Sequence, residues 1–304
     1  MTTWKLAGLD LGGTNVRCGA VHMESNACTC TDARLRSLGT RDFDQVTHIL
    51  IEEIQRIAPI DAIGIAVAGM VDVHHRHVAR APNLDWTHVP LAQTIEDACG
   101  VPVFVLNDVN AITWGEYKAL KPPHPQHMLA IFFGTGVGGG WVANGHLVEG
   151  ARGQALEIGH VEVDASPDAP FCGCGRRGCL EAFVGGLNFQ RWIQGKVPFP
   201  VEHMGRLDEM AQTGNPMAAD LLEQLATMTA RVLSNALILL DPGVLMVGGT
   251  VWDGCPTFAA RVRTLIHHRV LEAVQWVAPQ LGMQAGILGA AAFAGAQLSG
   301  QELS

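Results

Sequence analysis

No uninterrupted apolar run in this chain reaches the ~18 residues that a membrane-crossing helix needs, so no helical membrane anchor is expected. The opening stretch, MTTWKLAGLD, lacks a basic segment followed by an apolar core, so no signal peptide is expected either. Eight cysteines without a secretion signal point to a reducing compartment, the cytoplasm. Charge is scarce: 16% of residues are charged, and 20 Lys and Arg stand against 29 Asp and Glu, a formal charge of −9. A chain so short of basic residues is not expected to bind nucleic acid as its main task. What it has instead is apolar content, 48% of 304 residues, enough for two domains each with its own core. Its 35 glycines exceed the average share of about 7% and predict many tight turns and close backbone approaches.

The chain is organised around residues 160–181, HVEVDASPDAPFCGCGRRGCLE. Cys172, Cys174 and Cys179 crowd three thiols into eight residues, and Gly173, Gly175 and Gly178 let the backbone fold tightly between them. Zinc takes four soft or borderline ligands in a tetrahedron, and three Cys with His160 as the fourth would satisfy it. With no open position this would be a structural zinc. The alternative is a disulfide or reduced surface thiols. Cys28 and Cys30, a lone Cys-x-Cys pair, read as ordinary positions near a hairpin. Glu157 lies three residues before His160 and Glu181 two after Cys179, so a metal that folds this loop would fix both carboxylates. Paired carboxylates on a rigid loop suit a polyhydroxyl ligand, because each accepts several hydroxyl hydrogen bonds.

Taken in order, residues 5–9 read as a strand that runs into Asp10-Leu11-Gly12-Gly13-Thr14, and residues 16–22 as a second strand. Strand, Gly-Gly turn, strand is a hairpin whose tip can cradle phosphate oxygens and hold Mg²⁺ or its waters; a plain glycine turn is the bland alternative. Residues 42–57 carry a helical apolar stripe with Asp42 as the N-cap. Strands are expected at 62–68 and 101–106, a helix at 91–98, and a helix from Asn107-Asp108 to about Leu120. Asp108 thus stands at the carboxyl end of a strand, where α/β sheets bind ligands. Residues 121–125, KPPHP, break the helix and mark the boundary between a domain 1–121 and a domain 122–289.

The second half restarts the pattern. A strand at 128–133 enters the turn Gly134-Thr135-Gly136, and a strand rather than a helix follows, so the G-x-G-x-x-G match in this run fails the context of a dinucleotide fold. Two phosphate-cradling hairpins, one per half, suggest a nucleotide held between two domains. Helices are expected at 186–194, from Asn215-Pro216 to Leu240 with Pro at the first position, and at 256–272. A strand at 243–247 ends in Gly248-Gly249-Thr250, which a flat nucleoside ring could approach; a simple strand-to-helix turn is the alternative. The small residues from Gly286 onward open the last helix, with 290–304 packing on the first domain.

DLGGTN (10–15), APNL (81–84), NDVNA (107–111), FGTGVGGG (133–140), EIGH (157–160), CGCGRRGCLE (172–181) and VGGT (247–250), in this order, resemble the ROK family of repressors and sugar kinases. The resemblance covers nearly the whole chain. EIGH with the cysteine loop is specific to the family; DLGGT and VGGT are shared with the wider actin and hexokinase ATPases. It implies a two-domain ribonuclease-H-like α/β fold, with a sugar between the lobes and Asp108 as catalytic base. It implies hexose contacts from Asn83, Asn107, Asp108, Glu157, His160 and Glu181. ATP would lie on Asp10, Gly12, Gly13, Thr14, Gly134, Thr135, Gly136, Gly248 and Gly249. Leu156 stands where the family usually has Gly, and the turn after Asn83-Leu84 lacks the common Pro-Gly before Trp86. Both departures bear on the choice of sugar.

The leading expectation is therefore an ATP- and Mg²⁺-dependent hexose kinase acting on a sugar hydroxyl, O6 first, with glucose as the default substrate. Allose, fructose, mannose and N-acetylated amino sugars are alternatives. The family's sugar-sensing repressors carry a DNA-binding domain ahead of this body; with Asp10 ten residues from the start, none is expected here. A homodimer is what the resemblance favours.

Overall fold

The computed structural model describes residues 3–24, 27–267 and 273–300. Two compact units divide the chain. The first comprises Met1–Gln126, Gly140–Ala155 and Pro279–Ser304; the second comprises His127–Gly139 and Leu156–Ala278. The return of residues 140–155 to the first unit is a feature that a linear division at 121/122 does not contain.

In chain order the elements are β1 (Thr3–Leu11), β2 (Asn15–Glu24), β3 (Ala27–Ser37), α1 (Phe43–Ile57), β4 (Ala62–Val67), β5 (Met70–Val71), β6 (Val78–Ala81), β7 (Trp86–Val89), α2 (Leu91–Cys99), β8 (Val103–Asn107) and α3 (Asp108–Ala119). There follow β9 (His127–Phe133), β10 (Val137–Ala143), β11 (His146–Leu147), α4 (Glu181–Val184), α5 (Gly186–Ile193), α6 (Met204–Gln212), α7 (Pro216–Leu240), β12 (Val244–Gly248), α8 (Thr250–Asp253), α9 (Pro256–His267), β13 (Gln275–Val277) and α10 (Ala285–Leu298).

The first unit is built on a five-stranded sheet in the order β3-β2-β1-β4-β8. β1, β4 and β8 are parallel, β2 pairs antiparallel with β1, and β3 pairs antiparallel with β2. Alternation along β1 decides its two faces. Ala7, Leu9 and Leu11 join a core with Val46, Leu50 and Ile54 of α1 and Leu91 and Ile95 of α2. Leu6 points the other way, into a cluster with Ile287, Leu288, Ala291 and Ala294 of α10. Ile63 and Ile65 of β4 have no exposed surface, and burying each such side chain contributes roughly 1.5–3 kcal/mol. α10 is apolar on all sides and buried along almost its whole length, the pattern of a helix enclosed by its own domain. It lies directly on the sheet because Gly64 carries no side chain: a Cβ there would stand 2.0 Å from the Ala290 carbonyl oxygen.

α1 starts at Asp42, whose carboxylate accepts from the Gln45 N–H at 3.0 Å. Asn144 (φ 52°) and Gly145 (φ 80°) turn β10 into β11, the left-handed pair that a two-residue hairpin demands.

In the second unit β9, β12 and β13 form a parallel run, β12 pairing with both neighbours. α7 has 25 residues, with Pro216 at its first position and Asn215 Oδ1 accepting from the Ala218 N–H at 3.0 Å. The expected helix 256–272 is α9, described to His267; residues 268–272 lie outside the described residues. The last helix begins at Ala285, and 301–304 of the expected 290–304 also lie outside. β3, the small sheet β5-β6-β7 and α6 have no counterpart in the sequence reading. β3 is an exposed edge strand rich in polar residues, so it carries little hydrophobic periodicity to read. Among the described residues no helix is long and apolar enough to cross a membrane.

Candidate active site

Strand register gathers the candidate residues of the first unit. Leu11 of β1 pairs with Val67 of β4, and Val67 pairs with Asn107 of β8. The carboxyl ends of three parallel strands therefore finish level, the edge at which open α/β sheets take ligands. Asp10, the Gly12-Gly13 turn, Gly69 and the Asn107-Asp108 pair all stand on that edge.

The Gly12-Gly13 turn closes with a Gly12 N–H to Asn15 carbonyl bond of 3.0 Å, and Leu38 N–H donates to the Thr14 carbonyl at 2.9 Å. Asn83, in a single 3₁₀ turn after β6, packs so closely on Gly13 that a Cβ there would stand 2.8 Å from Asn83 Cβ. Burial raises the Asp10 carboxyl above its ordinary range, and Arg17, 3.4 Å away, pulls it back. Asp85 follows with φ 58° in the turn before Trp86, and Arg41 donates to it at 2.8 Å.

The start of α3 separates two roles that share one dipeptide. Asn107, not Asp108, is the N-cap: its Oδ1 accepts from the Asn110 N–H at 3.0 Å. Asn107 Nδ2 donates to the Gly69 carbonyl at 3.1 Å and to Asp108 Oδ1 at 3.0 Å. Val109 N–H also reaches Asp108 Oδ1 at 3.0 Å. One oxygen of Asp108 is thus held by two donors in the first turn of a helix.

The second unit carries candidate residues of its own. β9 and β12 end together, Gly248 opposite Phe132. Gly249 sits at φ 103°, and a Cβ there would lie 2.4 Å from the Phe133 carbonyl oxygen. The Gly134-Thr135-Gly136 turn is tied down from α5: Gly186 N–H donates to the Gly134 carbonyl at 2.9 Å, Leu187 N–H to that of Thr135 at 3.3 Å.

His160, Cys172, Cys174 and Cys179 converge, their ligand atoms all within 4.8 Å of one another. Cys174 Sγ and Cys179 Sγ are 3.7 Å apart, and Cys172 Sγ is 3.5 Å from His160 Nδ1. A disulfide would need about 2.05 Å. One tetrahedral zinc, with bonds of ~2.3 Å to S and ~2.0–2.1 Å to N, sets these edges at roughly 3.7 and 3.5 Å. The donor set and spacing fit that ion. Backbone bonds shape the loop: Cys172 N–H to the Arg176 carbonyl at 2.8 Å, and Leu180 N–H to that of Val161 at 2.9 Å. Arg176 also donates to the His160 carbonyl at 2.9 Å.

Both flanking carboxylates are held by this loop. His160 turns Nδ1 to the thiols and Nε2 toward Glu157, 3.8 Å from its Oε2. Burial raises the Glu157 carboxyl; His160 opposes the rise and Glu181 adds to it. Glu181 opens α4, accepts from the Val137 N–H at 3.0 Å through Oε2, and places Oε1 3.6 Å from Cys172 Sγ. Gly136 is what lets Glu181 in: a Cβ there would stand 2.4 Å from its Oε2. Gly136→Ala should therefore displace Glu181 and lower the apparent affinity for a ligand held by that carboxylate, with little change in melting temperature. A titration calorimetry measurement showing parent affinity would contradict this. Leu156, just before Glu157, takes φ 61°, a left-handed conformation that explains why glycine suits this position.

Gly69 and Arg17 touch candidate residues, Asn107 and Asp10, although neither was a sequence candidate. Gly69 ended an apolar run, a readable signal; Arg17 had none beyond its place in β2.

A model of the ROK family matches residues 6–297. A glucokinase of Streptomyces coelicolor is 31% identical over 306 residues, 93% of this chain and 95% of that protein. An N-acetylmannosamine kinase of Citrobacter koseri is 31% identical over 289 residues, 94% of this chain and 97% of that protein. The crystal structure of a ROK family glucokinase from Streptomyces griseus, in complex with glucose and AMPPNP, superposes with a TM-score of 0.76 at 29% identity, covering 95% of this chain and 99% of that one.

Proposed function

The chain belongs to the ROK family, with its two-domain α/β fold of the actin and hexokinase type, and from that premise we propose that it is an ATP-dependent hexose kinase. The γ-phosphoryl group passes to a sugar hydroxyl, O6 first, and glucose is the first substrate to test. The observation that carries this reading is Asp108: a carboxylate at the carboxyl edge of the sheet, relieved of capping by Asn107.

In this reading Asp108 accepts the proton of the attacking hydroxyl, and Asn107 and Val109 hold its other oxygen still. Asn83, Asn107, Glu157, His160 and Glu181 bind sugar hydroxyls and orient O6. The N–H groups of the Gly12-Gly13 and Gly134–Gly136 turns bind phosphate oxygens, with Thr14 and Thr135 adding hydroxyls. Gly248 and Gly249 leave room for the nucleoside. Asp10 would hold Mg²⁺ or its waters, and that cation neutralises charge on the phosphates when bound. His160, Cys172, Cys174 and Cys179 would hold a structural zinc, which would fix the loop that carries Glu157, His160 and Glu181 and would take no part in the transfer. Positioning and charge stabilisation do most of the work in such reactions. Support comes from the S. griseus glucokinase with glucose and an ATP mimic bound, and from the S. coelicolor glucokinase at 31% identity. The C. koseri N-acetylmannosamine kinase, also at 31%, puts that sugar in the test panel.

Coupled ATP-consumption assays across glucose, mannose, fructose, allose and N-acetylmannosamine test the proposal. Sugar binding with no ATP consumption on any of them would refute it in favour of a sugar sensor. Deoxy sugars lacking a hydroxyl that faces Glu157 or Glu181 should lose ten-fold or more in kcat/KM. A buried acceptor left unsatisfied costs about 1–3 kcal/mol, and more when charged, and about 1.4 kcal/mol is a factor of ten. Equal kcat/KM for all such analogues would remove both carboxylates from the substrate site.

A further inference from the structure

Outside the residues named above, the first unit contains a largely buried acid–base pair. His75 Nε2 lies 3.2 Å from Glu149 Oε2, with side chains 12% and 17% exposed. The other ring nitrogen, Nδ1, lies 3.1 Å from the Val105 carbonyl oxygen. A carbonyl oxygen only accepts, so Nδ1 carries a proton. Nε2 and Oε2 must then share one further proton. They form either neutral imidazole with a protonated carboxyl or imidazolium with carboxylate. Without that proton, two lone pairs face each other and the contact fails.

The surroundings favour the uncharged form. Burial pushes the Glu149 carboxyl up to about 7, against a hydrogen bond from the Asn110 side chain, and pushes the His75 imidazole down. Asp72 and His74, on the same loop as His75, supply the nearby charges; Asp72 favours its cation and His74 opposes it. From the packed elements, β8 brings the Val105 carbonyl and α10 the Phe293 ring, its centroid 4.6 Å from that of the imidazole, neither charged. His75 is held at φ 59°, a conformation that non-glycine residues seldom take. Its N–H bonds the Asp72 carbonyl, and its carbonyl accepts the Val105 N–H, both at 3.0 Å.

Glu149 reaches the site through Asn110. That residue is the third of α3, 3% exposed, and its N–H caps onto Asn107 Oδ1. Asp108 lies between Asn107 and Asn110. We infer that His75 and Glu149 are positioning residues for Asp108: the proton they share keeps Glu149 seated against His75, where it accepts from the Asn110 side chain, and Asn110 holds the first turn of α3. The assignment rests on the proposed role of Asp108 as base.

Two substitutions at one position separate positioning from plain packing. In Glu149→Gln the amide N–H donates to His75 Nε2 and the amide oxygen accepts from Asn110. This variant reproduces the protonated acid and has no proton to lose. Glu149→Leu fills the space and does neither. The parent kcat should fall as pH rises through about 7, where the carboxyl loses its proton. Glu149→Gln should keep its kcat through that range. Glu149→Leu should lose roughly ten-fold in kcat at every pH, the scale of a modest misplacement of a reacting group, with KM for ATP within about two-fold of the parent. A parent profile with no falling limb near pH 7, the same limb retained in Glu149→Gln, or parent kcat in Glu149→Leu would overturn the inference. Imidazole ¹⁵N spectra give a readout independent of turnover. In the parent below pH 7, His75 should show a protonated Nδ1 and an Nε2 that shifts on substitution of Glu149. If Asp108→Asn kept its turnover, the base assignment alone would fail, and these spectra would still decide whether the pair shares a proton. A His75 signal indifferent to both Glu149 variants would overturn the pair itself.

Discussion

Asp108→Asn is expected to fold, to melt near the parent temperature, to bind sugar, and to turn over roughly 10²–10⁴ times more slowly, the usual share of general-base catalysis. The expectation on stability follows from the division of labour at the start of α3. Asn107 supplies the cap, worth about 1 kcal/mol, and it is untouched by the change. Asparagine at 108 keeps an oxygen where Asp108 Oδ1 accepts from Asn107 Nδ2 and Val109 N–H. What it lacks is a basic oxygen for the sugar hydroxyl. Asn107→Ala is the matching control: it should lower stability by about 1 kcal/mol through the lost cap. A pre-steady-state measurement of the chemical step is the cleanest assay, because product release can mask slower chemistry. Near-parent rates for Asp108→Asn would sink the catalytic assignment.

Cys174→Ser is expected to give protein without zinc, a lower melting temperature and a poorly held Glu181. Parent protein purified without chelator should carry one zinc per chain by elemental analysis. The loop has few resources of its own. Its backbone bonds are local, and three of its positions are glycine. A structural zinc contributes roughly 10–16 kcal/mol in isolated peptides. If only about 3 kcal/mol of that is felt by the whole chain, the melting temperature falls by roughly 6–12 °C, at ~2–4 °C per kcal/mol. Activity should fall as well, because Glu181 Oε1 lies against Cys172 and Glu157 against His160. Chelator treatment of the parent should reproduce the effect, and zinc should reverse it. A parent protein with no zinc, or a Cys174→Ser variant with full metal content, would end this account.

Much of this molecule was legible in its residues. Local chemistry determined the caps at Asp42 and Asn215, the Asn144-Gly145 turn and the glycine turns at the ends of β1, β9 and β12, because each rests on neighbours in the chain. The His160 and cysteine cluster was legible for the same reason: three thiols within eight residues can scarcely avoid one another. Tertiary structure decided what depends on register and on distant partners. Only the pairing of Leu11 with Val67 and of Val67 with Asn107 brings Asp10, Gly69 and Asp108 to one edge. Only the folded helix start shows that Asn107 caps and Asp108 does not. The two nitrogens of His160 were indistinguishable in sequence; the loop turns one toward sulfur and the other toward Glu157. His75 and Glu149 stand 74 positions apart with no motif around either. A shared proton needs contact within hydrogen-bond distance, and over such a separation only packing of the whole unit sets that contact.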